Sequence, residues 1–85
     1  MTVSFSKLFL KQAKKLDPKL RKKLHERIAL FVRNPFDASL RNHPLKGPYK
    51  DYRSIDITGD VRALYLMQDD EAIFDAVGTH GQLYG

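Results

Sequence analysis

The chain has 85 residues, 42% of them apolar, and a formal net charge of +5. A chain of this length makes one domain, spanning 1–85, and buries only about 60% of its unfolded surface, which leaves room for one core and none for a deep cofactor pocket. It contains no cysteine, which excludes disulfides and thiolate metal sites and fits a reducing compartment. No apolar run approaches the roughly 20 residues of a membrane span, and the first residues lack the apolar stretch of a signal peptide, so a cytoplasmic protein without a membrane partner is expected. Nine of the fifteen Lys and Arg residues lie between Lys7 and Arg27, against two acids, Asp17 and Glu26. A field of that kind attracts polyanions; the competing reading is a solvated helix face.

The elements follow in chain order. Val3-Ser4-Phe5 alternates as a short strand does, and Ser6 is an N-cap for the helix after it. Phe9, Ala13 and Leu16 recur there at helical spacing. Asp17-Pro18 restarts the chain as a cap followed by proline at the first helical position. The second helix runs to about Arg33 with Leu20, Leu24, Ile28 and Phe31 on one stripe, and Asn34-Pro35 ends it. Residues 36–51 carry Pro44, Gly47 and Pro48 with no sustained period and read as a loop. Three strands follow, at 52–57, 61–67 and 72–77, separated by Thr58-Gly59-Asp60 and a second polar turn. Arg53, Ile55 and Ile57 share one face of the first, and Arg62, Leu64 and Leu66 one face of the second. The order β-α-α-β-β-β predicts an α+β fold: an antiparallel sheet with a two-helix hairpin packed on one face and the other face partly open.

RNA can be cleaved through its own 2′-hydroxyl. The protein must take that proton, protonate the leaving 5′-oxygen and stabilise charge on phosphorus. Two groups that titrate near neutrality and one or two fixed cations are enough. His43 lies in a constrained loop before the sheet and His80 just after its last strand, so a meander brings both to one end or face. Arg62, on the middle strand, either reaches out to water or awaits an anion. Tyr84 lies beyond the last strand, either tucked onto the sheet or open to stack on a base. Metal binding by His43, His80, Asp56 and Asp60 is the competing reading, and no pair among them has a recognised ligand spacing.

Asn42-His43-Pro44-Leu45-Lys46-Gly47, Tyr52-Arg53, the hairpin Gly59-Asp60-Val61-Arg62-Ala63-Leu64-Tyr65 and the tail Gly78-Thr79-His80-xx-Leu83-Tyr84 together resemble the RelE/ParE superfamily of bacterial type II toxin–antitoxin toxins, nearest the YafQ-like mRNA endoribonucleases. The likeness runs over nearly the whole chain. It implies a RelE-like fold and a ribonuclease that enters the ribosomal A site and cuts mRNA there, without a metal or other cofactor. By matching position it implies functional roles for His43 and His80, a catalytic acidic residue at Asp60, a phosphate-stabilising arginine at Arg62 and a base-orienting ring at Tyr84. Lys46, Lys50 and Arg53 would assist at the RNA, and Lys11, Lys14 and Lys15 on the first helix would grip ribosomal RNA.

The chain departs from the family pattern at three points. Asp56 stands in place of a further histidine, as a possible substitute base. Val61 replaces a tryptophan after the acid, and Ala76 replaces a second arginine. The resemblance also implies a cognate antitoxin, which would wrap the toxin with an acidic or amphipathic segment. The toxin would be monomeric when free and form assemblies such as a heterotetramer with the antitoxin. Two other readings stand beside this one: a ParE-like inhibitor of DNA gyrase, and a non-catalytic basic module that binds RNA or protein.

Overall fold

A computed structural model describes all 85 residues. Strand β1 (Thr2–Phe5) leads into helix α1 (Lys7–Lys14) and then helix α2 (Pro18–Arg33). Ser6 makes the first turn in two ways: its hydroxyl oxygen accepts from the Phe9 N–H at 3.0 Å, and the hydroxyl donates to the Asp75 carbonyl at 3.0 Å. The cap that starts α1 thus also ties it to the last strand. Asp17 caps α2 by accepting from the Leu20 N–H at 2.8 Å, with Pro18 at the first helical position where its missing N–H costs nothing. After Asn34-Pro35 come a single 3-10 turn (Ala38–Leu40), the two-residue strand β2 (His43–Pro44) and a second 3-10 turn (Gly47–Tyr49). Strands β3 (Arg53–Asp56), β4 (Val61–Gln68) and β5 (Glu71–Thr79) form the expected meander, and helix α3 (His80–Tyr84) closes the chain. No helix is long and apolar enough to cross a membrane.

The α+β architecture and the helical hairpin on one face are as expected; the sheet differs in detail. It has five strands in the order β1-β5-β4-β3-β2, and it is mixed, because β1 runs parallel to β5 while every other pairing is antiparallel. A four-residue strand has alternation but no directional signal, so its sense is set by where α1 and α2 must lie. The pairing of His43 and Pro44 with Ser54 and Arg53 is too short to show a period. The turn at α3 lies in a tail that has only five helical residues, below the length at which periodicity speaks.

The core lies between the helices and the sheet. Phe31 packs edge-on against Tyr65 at 4.8 Å and Phe74 at 5.1 Å, and Phe9 meets Phe74 at 5.9 Å. Ile55, Ala63, Ala72 and Val77 fill the space around these rings and are all buried. Loss of a buried Phe ring costs about 3–5 kcal/mol, a large share of the roughly 4–13 kcal/mol that a chain of this size has in total. The opposite face of the sheet carries Ser54, Asp56, Arg62 and Leu64, as the alternation predicts. On that face β5 bulges: Leu64 pairs with Ala76 and Tyr65 with Phe74, which leaves Asp75 as the extra residue. Its carboxylate accepts from the Tyr52 hydroxyl at 2.8 Å.

Two fastenings position the long loop. Asn42 donates to the Pro35 carbonyl (2.9 Å) and to the Tyr65 hydroxyl (2.7 Å), and its own carbonyl oxygen Oδ1 accepts from Arg53 Nε at 2.8 Å. Arg27 on α2 donates through Nε to the Asp56 carbonyl at 3.1 Å and through its terminal nitrogens to Ser39. Arg27 is therefore a structural tie, not part of the outward basic field.

Candidate active site

The open face of β3 and β4, the loop around β2 and helix α3 enclose a cleft of about 390 Å³, lined by Arg41, His43, Leu45, Lys46, Tyr49, Ser54, Asp56, Arg62, His80 and Tyr84. A larger hollow beside α2 is lined mainly by Lys19, Lys22, Lys23, Asp17 and Glu26, away from both of these histidines. The smaller cleft combines titratable groups, fixed cations and aromatic rings, which makes it the candidate site for chemistry.

Arg62 reaches it from the middle strand. Its Nε donates to Asp56 Oδ1 at 3.0 Å, and one terminal nitrogen donates to the carbonyls of Thr58 (3.0 Å) and Gly59 (2.8 Å). The other terminal nitrogen makes no hydrogen bond within the protein, so a strongly held guanidinium presents two N–H groups to an incoming anion. Asp56 sits directly opposite Arg62 in the β3–β4 register, and its side chain is only 13% exposed. Its second oxygen lies 3.7 Å from Arg41 Nε. Asp56 is thus engaged as the counter-ion of two arginines.

His43 is exposed, and its Nδ1 lies 2.7 Å from the Arg41 carbonyl. A carbonyl can only accept, so Nδ1 carries the proton, and in the neutral ring Nε2 keeps its lone pair for the cleft. His80 opens α3. Thr79 caps that helix, accepting from the Gln82 N–H at 3.2 Å, while the Gln82 side chain accepts from the Thr79 N–H at 2.8 Å. Gly78 makes room for this box: a Cβ there would lie 2.8 Å from the Gln82 carboxamide oxygen. The helix sets His80 and Tyr84 four residues apart, with ring centroids 4.8 Å from each other. Tyr49 meets the other side of Tyr84 edge-on at 5.2 Å, and its hydroxyl donates to the Leu83 carbonyl at 3.3 Å. Burial, and then the neighbouring Tyr49, hold the Tyr84 phenol above its ordinary pKa, against a smaller opposite effect of Arg62. Tyr84 therefore stays a neutral phenol at physiological pH.

The cleft brings together His43, Lys46, Asp56, Arg62, His80 and Tyr84 from the residues singled out in the sequence. It does not include the others. Asp60 lies exposed in the β3–β4 turn, its backbone N–H donating to Thr58 Oγ1 at 3.2 Å. Lys50 is exposed just outside. Arg53 is on the helix side of the sheet, bonded to Asn42 and 5.4 Å over the Phe36 ring. Lys11 and Lys14 lie on α1 and Lys15 caps its end, all exposed and away from the cleft. Sequence reasoning missed Arg41. Nothing in the local pattern marks Arg41, whose position depends on its left-handed backbone, with φ of 49°.

A small mixed sheet with a helical hairpin behind it, and a cationic cleft with two histidines in front, is the architecture of a family of bacterial toxins. Residues 1–85 match the family described as the bacterial toxin of type II toxin–antitoxin systems, YafQ. The chain belongs to that family. It is 34% identical over 65 residues to the mRNA interferase toxin YafQ of Escherichia coli K12, covering 74% of this chain and 71% of that relative. Its fold is similar to the crystal structure of YafQ from E. coli BL21(DE3), with a TM-score of 0.84 and 28% identity over 98% of this chain and 97% of that one. It is also similar to a chain of the E. coli DinJ–YafQ toxin–antitoxin complex, with a TM-score of 0.80 and 28% identity over 98% and 96% of the two chains.

Proposed function

We propose that this protein is an endoribonuclease that cuts mRNA in the ribosomal A site by acid–base chemistry through the RNA 2′-hydroxyl, and that a cognate antitoxin restrains it. The observation that carries the reading is one cleft holding a histidine with an available Nε2, a second histidine, and an arginine with two uncommitted N–H groups. His43 takes the proton of the 2′-hydroxyl. The oxygen attacks the phosphorus, the 5′-oxygen leaves, and His80 gives it a proton. The products are a 2′,3′-cyclic phosphate and a 5′-hydroxyl. Arg62, helped by Lys46, takes up the charge that grows on the non-bridging oxygens, where a single well-placed donor is worth about 10²–10³ in rate. Tyr84, neutral and already packed between His80 and Tyr49, offers its ring to a base.

The geometry favours His43 over the carboxylates as base. Asp56 is occupied by Arg62 and Arg41, and Asp60 does not line the cleft. The exposed lysines of α1 and α2 supply attraction to the folded RNA around the message. The antitoxin role is supported by the family and by the E. coli DinJ–YafQ complex.

Primer extension on a reporter mRNA in a purified translation system tests the reading, with wild type and His80→Ala, each with and without ribosomes. Cuts inside codons that require both ribosomes and His80 are the expected result, with a loss of about 10²–10⁴ in rate for His80→Ala. Cleavage that persists in His80→Ala overturns the acid assignment. Cleavage of naked RNA at the same sites overturns ribosome dependence. No cleavage in any arm, together with gyrase-dependent DNA damage, overturns the nuclease reading.

A further inference from the structure

Arg41 occupies an unusual place beside the cleft. Its backbone is left-handed, with φ of 49° and ψ of 44°, a region that a residue with a side chain enters at a cost. Two contacts follow from that turn. The Arg41 carbonyl meets His43 Nδ1 at 2.7 Å, and the Arg41 guanidinium comes back over the cleft, where Nε stands 3.7 Å from Asp56 Oδ2. The side chain is still 74% exposed, and its terminal nitrogens form no hydrogen bond within the protein. Asp56 therefore holds one guanidinium on each carboxylate oxygen, Arg62 at 3.0 Å and Arg41 at 3.7 Å.

Charge says what this arrangement is for. The cleft is lined by three permanent cations, Arg41, Lys46 and Arg62, and one carboxylate, Asp56, which leaves a surplus of two positive charges. One phosphodiester accounts for one of them. Arg62 is partly buried, with its side chain 26% exposed, and is locked by backbone carbonyls, so it suits the phosphate that reacts; Arg41 is open to solvent at the edge, so it suits a phosphate that passes by.

We infer that Arg41 is an RNA-binding and positioning residue: its guanidinium contacts a backbone phosphate next to the one held by Arg62, and its left-handed main chain fixes the Nδ1–H form of His43. The assignment rests on the nuclease reading only for the role of His43; the phosphate contact stands without it.

The test separates side chain from main chain. Glycine adopts a left-handed backbone without strain, so Arg41→Gly keeps the turn and removes only the guanidinium. Valine is barred from it, so Arg41→Val disturbs both. The probe is a single-stranded 2′-O-methyl RNA, which cannot be cut through the 2′-oxygen, titrated at several salt concentrations. Arg41→Gly is expected to bind about tenfold more weakly near ~0.1 M salt, with a log K against log salt slope shallower by about 0.7, the value of one phosphate contact on a single strand. Arg41→Lys should restore the slope. Ring ¹⁵N spectra should show His43 with its proton on Nδ1 in wild type and Arg41→Gly, and mixed forms in Arg41→Val. A wild-type slope in Arg41→Gly overturns the phosphate contact. An unchanged His43 ring in Arg41→Val overturns the main-chain role. If the wild type cuts no RNA in the translation assay while the slope difference holds, the nuclease reading fails and the phosphate contact survives.

Discussion

Replacing Asp56 by asparagine removes one charge and keeps the shape of the side chain. The amide oxygen can still accept from Arg62 Nε across the present 3.0 Å, but the bond is no longer charge-assisted. A charge-assisted bond is about twice as strong as a neutral one, so the loss at this mostly buried pair is about 1–1.5 kcal/mol. The Arg41 pair is longer, at 3.7 Å, and its guanidinium is exposed. Its loss adds no more than about 0.5 kcal/mol, as for other exposed ion pairs. Arg62 keeps its bonds to the Thr58 and Gly59 carbonyls, so it loosens without leaving. If that slack is felt in full at the transition state, about 1–2 kcal/mol converts to a rate loss of about 5–30-fold. The assay is single-turnover cleavage on programmed ribosomes over a range of pH. If His43 is the base, as proposed, the acidic limb of the profile should be unchanged. A loss of about 10⁴-fold with the acidic limb abolished would make Asp56 the base and refute the assignment. A wild-type rate would show that Asp56 does not hold Arg62 for catalysis.

The other predictions concern the supports of the site. Gly78→Ala places a methyl group 2.8 Å from the Gln82 carboxamide oxygen and opens the capping box of α3. The expected cost is about 1 kcal/mol, or about 4–8 °C in melting temperature, with faster amide exchange at residues 81–85. Asn42→Ala strips the buried Tyr65 hydroxyl of its partner and frees the loop before His43; about 1–3 kcal/mol of stability should be lost in denaturant titration, and Tyr65→Phe in the same background should recover part of it. Tyr52, through its bond to Asp75 and then burial, and Tyr84, through burial, titrate above the ordinary value of 10.0. A raised folded pKa means that the unfolded chain gives up its proton first, so the linked stability is complete below about pH 10 and is lost as pH rises through the folded values. Thermal melts from pH 8 to 12 should show that decline, and Tyr52→Phe should flatten it; an equal slope in the variant refutes the linkage.

The helical half was legible because each signal is local. Ser6, Asp17-Pro18 and Asn34-Pro35 act through their own hydrogen bonds and dihedral limits, and they start and stop the helices where expected. The faces of β3 and β4 followed from alternation, which put Arg62 and Asp56 on the side away from the helices. Alternation gave the side of Arg53 but not its partners. It shares the Ile55 face, so its place on the helix side was implied, yet a basic residue in a motif invited an RNA role. The Asn42 and Phe36 contacts that hold it come from the loop, whose path has no period to read. Asp60 was assigned by likeness to a pattern, and a turn residue's direction depends on the turn's geometry. Arg41 was invisible for a similar reason: a left-handed arginine has no sequence signature of the kind that glycine provides.

The bond from Arg27 to the Asp56 carbonyl has a practical result for mapping the proposed contacts with RNA. A survey that neutralises the cations of α2 one at a time would find Arg27 among the most damaging losses. That damage would come from a slackened floor beneath Asp56 and Ser39, transmitted to both arginines of the cleft, and not from a missing grip on a polyanion. Salt dependence tells the two apart: losing a true contact lessens the sensitivity of binding to salt, whereas losing Arg27 should slow the reaction and leave that sensitivity as it was.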